Sequence, residues 1–81
     1  MEIKIQLWAL SYASIDSDDD LYVATIGLYK SKDEAVNAMK DNVSSDIEDG
    51  DIEDKWKIND KMADYVDDFS NTRKSYRIIS L

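Results

Sequence analysis

Cysteine, histidine and proline are absent from this 81-residue chain, and glycine occurs only twice. Without cysteine there is no disulfide framework and no thiol nucleophile. Without histidine there is no imidazole base and no zinc site of the usual Cys/His kind. Two glycines are too few for a loop that cradles phosphate, and the nine serines have no histidine to activate them. No apolar run approaches the roughly 18 residues of a membrane helix. Positive charge is scarce as well: 10 basic side chains against 18 acidic ones leave a net charge of −8. Such a surface is repelled by nucleic acid phosphates and by anionic lipid, so neither direct nucleic acid binding nor membrane binding is expected. The opening MEIKIQLWALSYAS imitates a signal peptide, but Glu2, Lys4 and Gln6 break its flank and apolar core. A cytoplasmic protein is expected.

What is present is enough to fold. Hydrophobic residues make up 43% of the chain and include two Trp, five Tyr and one Phe, which sets it apart from disordered acidic tails. At this length residues 1–81 form a single domain with one small core. From Ile3 apolar residues alternate, with Ile3, Ile5, Leu7 and Ala9 on one face and Trp8, Leu10 and Tyr12 on the other. The second face turns apolar from Trp8, the pattern of a central strand or of one whose far half is covered on both sides. Asp16–Asp20 is a turn, and Leu21–Tyr29 a second strand in which Gly27 marks a bulge or a close approach. Ser31 and Glu34 are spaced as a capping box, opening a helix from Lys32 to about Asp49. Its stripe is Val36, Met39, Val43 and Ile47, and Gly50 ends it.

Residues 56–69 fit two readings. As a helix, Ile58, Met62, Tyr65 or Val66, and Phe69 keep a 3.6-residue spacing. As strands, Trp56 and Ile58 end an extended piece, Asn59-Asp60 turns, and Met62–Val66 pairs with the C-terminal segment from Ser75 across a turn at Ser70–Thr72. The β-forming Tyr65-Val66 and that turn favour strands. The expected fold is α+β: an antiparallel sheet of three to four strands with one capped helix on one face. Its order is β-β-α-β-β, or β-β-α-α-β under the helical reading.

Charge is concentrated in the middle of the chain. Residues 41–68 hold eleven acids and three bases, whereas residues 69–81 hold three bases and no acid. Asp46, Glu48, Asp49, Asp51, Glu53 and Asp54 place six carboxylates in nine residues. Mutual repulsion at that density lowers the stability of a small fold. A solvated loop selected for solubility accounts for the run, and so does a negative surface that docks on a positive one. Metal binding fares less well. Asp16, Asp18 and Asp20 match EF-hand positions one, three and five, but Leu21 stands where glycine is needed and Gly27 where a bidentate glutamate is needed. The register from Asp49 has Asp54 at the glycine position. Paired carboxylates can hydrolyse glycosides, but that chemistry needs a cleft that a chain this short rarely encloses. No catalytic residue, metal site or cofactor is expected, and the protein is read as a non-enzyme. The eight aromatic residues exceed what one covered sheet face hides, placing some on the open face or at edges, where they could anchor an interface.

A short acidic α+β chain without His or Cys, bearing the Asp46–Asp54 run, resembles the small phage and mobile-element proteins that block host defence, anti-CRISPR proteins among them. The resemblance lies in general character over the whole chain and involves no motif. It implies an inhibitor acting in a host cytoplasm on the nucleic-acid-binding surface of a Cas nuclease or another defence enzyme. The functional expectation is therefore a non-catalytic inhibitor or interaction module that docks on a partner protein's basic site. Asp46, Glu48, Asp49, Asp51, Glu53 and Asp54 would carry the contact, assisted by Asp64, Asp67 and Asp68 and by Trp56 and Tyr65. The alternative is an assembly component that self-associates, as a homodimer or more, through a strand edge and an aromatic face.

Overall fold

A computed structural model describes residues 5–81. Its elements are β1 (Trp8–Ile15), β2 (Leu21–Tyr29), α1 (Lys32–Glu48), a single 3₁₀ turn at Glu53–Lys55, β3 (Trp56–Ile58), β4 (Met62–Asp67) and β5 (Thr72–Ser80). The strands form one antiparallel sheet in the order β2-β1-β5-β4-β3. The α+β class, the first hairpin, the capped helix and the strand reading of residues 56–67 agree with the sequence. The count differs: the sheet has five strands, because Trp56–Ile58 pairs with β4 as an edge strand of its own. The β-β-α-α-β order is excluded by β4. Among the described residues the first strand begins at Trp8, later than expected, while Ile3 and Lys4 lie outside the described residues. Beyond Trp8 the contact of β1 with β5 continues through Leu81 N–H, which donates to the Leu7 carbonyl at 2.9 Å, and through the Gln6 amide, which donates to Ser80 Oγ at 2.7 Å.

Strand pairing assigns each side chain to a face. Trp8, Leu10 and Tyr12 of β1 share a face with Tyr76 and Ile78 of β5, Ala63 and Tyr65 of β4, and Trp56 of β3. Helix α1 covers this face with Ala35, Met39 and Val43 buried, so that Leu10, Met39, Val43, Trp56, Ala63, Tyr65 and Tyr76 make the core. The aromatic rings there pack across strands: Tyr12 against Tyr76 and Trp56 against Tyr65 in tilted pairs with centroids 4.7 and 5.1 Å apart, and Trp56 stacked on Tyr76 at 6.0 Å. Helix length follows from topology. The chain leaves the β2 edge and re-enters at β3, the opposite edge, about 19 Å away at ~4.8 Å per strand. The 17 residues of α1 span about 25 Å at ~1.5 Å each.

Local chemistry sets the punctuation. Ser31 Oγ accepts from Glu34 N–H at 3.2 Å, and Glu34 reaches back to Lys30 N–H at 3.2 Å. At the other end Asp51 N–H donates to the Asp46 carbonyl and Gly50 N–H to the Ile47 carbonyl, the Schellman pattern, with Gly50 at φ 126°. Each hairpin turn is closed by one side-chain oxygen that accepts two backbone N–H groups: Asp16 from Asp18 and Asp20, Asn59 from Lys61 and Met62, Asp67 from Phe69 and Ser70. The bulge expected at Gly27 is present, and its close neighbour is a side chain rather than another backbone. The β1–β2 register shifts beside it, and a Cβ there would meet Tyr29 Oη at 2.7 Å.

Candidate functional site

The Schellman ending sorts the carboxylates of Asp46–Asp54. Asp46, in the last turn of α1, faces the sheet, where its Oδ2 accepts from the Tyr76 hydroxyl at 2.7 Å. Asp51, turned back by Gly50, pairs with Lys74 Nζ at 2.7 Å, and both side chains are mostly buried. These two carboxylates attach the helix end to β5. Burial of Tyr76, reinforced by the bond to Asp46 and its charge, pushes the phenol above its ordinary range. For Lys74, burial alone would lower the ammonium's pKa, but the bond to Asp51 and the charges of Asp46 and Asp51 outweigh it and raise it. Glu48, Asp49, Glu53 and Asp54 are exposed, and none makes an ion pair among the described residues. Glu48 and Asp49 also stand at the negative end of the helix dipole, whose last turn has no basic residue. Each acid there lowers helix stability by about 0.3–1 kcal/mol.

The remaining expected site residues divide in the same way. Asp64 is gripped by both Arg77 nitrogens, one at 3.2 Å, and by Ser75 Oγ at 2.9 Å. Burial would raise its pKa, but those bonds and the Arg77 charge prevail and hold it below the usual carboxylate range. Asp67 is buried and closes the β4–β5 turn, with Lys55 at 3.7 Å. Burial opposes its ionisation, but the N–H groups of Ser70 and Phe69 and the Lys55 charge keep it below the ordinary value. Asp68 alone of the three is free on the surface. The aromatic pair does not form an exposed anchor: Trp56 and Tyr65 are both in the core. The Tyr65 hydroxyl accepts from Ile52 N–H at 3.3 Å and donates to Asp67 at 3.4 Å, fastening the acidic segment to β4. Nor does the open sheet face carry aromatic rings; Tyr22 on the β2 edge and Phe69 in a turn are the exposed ones.

Beside the free carboxylates lies a groove of about 440 Å³ between α1 and β3, lined by Lys40, Val43, Ser44, Ile47, Glu53, Trp56 and Ile58. Its apolar wall is the part of the site that strand-by-strand reading missed, because it joins residues thirteen positions apart across two elements. The indole N–H of Trp56 is buried without an acceptor among the described residues. Asp16, Asp18 and Asp20 bring their carboxylate oxygens within 4.8 Å of one another, on a hairpin turn where Asp16 already accepts two backbone N–H groups. Among the described residues no helix is long and apolar enough to cross a membrane. Comparison with known protein families, curated proteins and solved structures finds no match to this chain.

Proposed function

We propose that the protein is a non-catalytic interaction module that sets Glu48, Asp49, Glu53 and Asp54 against a basic surface of a partner protein. The kind of partner in view is the nucleic-acid-binding site of a defence nuclease. One observation carries the reading: the fold uses Asp46 and Asp51 internally and leaves these four acids exposed and without an ion pair among the described residues, two of them where the helix dipole disfavours them. Asp68 adds charge from the β4–β5 turn. The groove floored by Trp56 supplies an apolar contact next to Glu53, so a partner can combine charge steering with burial of a side chain.

The test compares the protein with its fourfold amide variant Glu48→Gln, Asp49→Asn, Glu53→Gln, Asp54→Asn, each immobilised and exposed to a lysate of a defence-competent bacterium. The reading expects a retained protein that DNA displaces, that rising salt releases, and that the amide variant fails to hold. A complex equally strong with the amides, or indifferent to salt, sinks it.

A further inference from the structure

Strand β2 has the composition of an interior strand and the position of an edge. Charged residues make up 35% of the chain, yet none lies in Leu21–Tyr29. β1 is equally uncharged, but it is paired on both sides. Among the described residues β2 pairs only with β1. Natural sheets guard an edge this long with lysine, proline or inward-pointing charge. β2 has only the bulge beside Gly27, and it leaves Leu21 and Val23 66%, Leu28 60% and Tyr22 59% exposed.

From this we infer that a second copy of the chain completes the sheet by antiparallel pairing of β2 with β2 across a two-fold axis at Val23. The regular part of the strand runs from the acidic turn to the bulge, Leu21–Thr25, and its centre is Val23. Pairing that stretch with itself sets Val23 against Val23, Tyr22 against Ala24 and Leu21 against Thr25, large beside small on each face. The bulge turns the strand away beyond Thr25, which limits the contact to one closed pair rather than an open array. Charge selects the antiparallel sense. Parallel strands would bring the two Asp16–Asp20 turns together. The two-fold arrangement holds Asp20 and its counterpart about 20 Å apart along the strands at ~3.3 Å per residue, beyond a Debye length of about 8–10 Å. Each acidic turn then lies towards the end of the partner's β2 that carries Lys30, a lysine without an ion pair among the described residues.

The natural absence of cysteine makes the test direct. Val23→Cys places a single thiol on the axis, where opposed Cβ atoms lie about 4.5–5.5 Å apart, close to disulfide reach. Under mild oxidation it is expected to form a disulfide-linked dimer roughly tenfold faster than Val66→Cys, a control on the same face of β4. Sedimentation of the unmodified chain is expected to show monomer and dimer only, with the dimer favoured by salt because two chains of charge −8 repel less when screened. Val23→Lys, folded by circular dichroism, is expected to raise the dimer dissociation constant roughly tenfold or more by opposing like charges. A chain monomeric at every concentration, species larger than a dimer, equal oxidation of the two cysteine variants, or a dimer untouched by Val23→Lys would each overturn the inference.

Discussion

The two faces of the sheet are built for different ends. The face under α1 holds the buried rings and aliphatic side chains, Leu10, Met39, Trp56, Tyr65 and Tyr76 among them. Among the described residues the opposite face has no helix over it and carries Ile15, Leu21, Val23, Val66 and Ile79 partly exposed, with Arg73, Arg77, Lys57 and a single acid, Asp64. Volume on the first face is stability, because no rearrangement refills it. Volume on the second is surface, and its chemistry is free to serve contacts.

Substitutions can break or sharpen that contrast. The largest loss is expected for Met39→Ala, which empties the core between α1 and the sheet and should cost about 2–5 kcal/mol in urea denaturation, a large share of a typical domain's stability of about 5–15 kcal/mol. Tyr76→Phe removes the donor to Asp46 and leaves that carboxylate unpartnered, with an expected cost of about 1.5–3 kcal/mol by the same assay. Asp64→Asn, on the open face, should cost only about 0.5–1 kcal/mol, the range of a partly exposed ion pair. Val66→Ala should fall below about 0.5 kcal/mol. A cost approaching that of Met39→Ala would mean that the open face is covered in solution. One expected effect has the opposite sign: Glu48→Gln with Asp49→Asn should raise stability by about 0.6–2 kcal/mol, relieving the helix dipole, while weakening partner binding.

Titration sharpens the same contrast. Asp64 and Asp67 are held below the ordinary carboxylate range, so the stability they contribute is complete above about pH 4 and is lost as pH falls towards their folded values. Melting temperatures measured from pH 6 to 2 should fall less steeply for Asp64→Asn than for the unmodified protein. Tyr76 and Lys74 are raised, so their contribution is complete below about pH 10 and disappears as pH climbs beyond it. Tyr76→Phe should flatten that alkaline limb.

Much of the fold was legible because its signals are local. The capping box at Ser31 and Glu34, the glycine ending at Gly50 and the alternation through Leu10 and Tyr12 each depend on neighbours a few residues away. The same holds for the turns, although Asp67 read as a surface acid when it is a turn-closing acceptor, a role shared with Asp16 and Asn59. The candidate site was legible only as a composition. Nothing in Asp46–Asp54 distinguishes the two acids that point inward from the four that do not, and Trp56 and Tyr65 look alike whether they face solvent or core.

The order of residues alone determined the class of fold, the caps, the hairpins and the excess of negative charge, since backbone propensity and side-chain periodicity act over one or two turns. Tertiary structure decided which carboxylates are used internally, because Tyr76 and Lys74 meet Asp46 and Asp51 only once β5 lies under the end of α1. It also decided that Leu21–Tyr29 is an edge. A strand's partners depend on where the chain returns to the sheet, and that is a property of the whole topology.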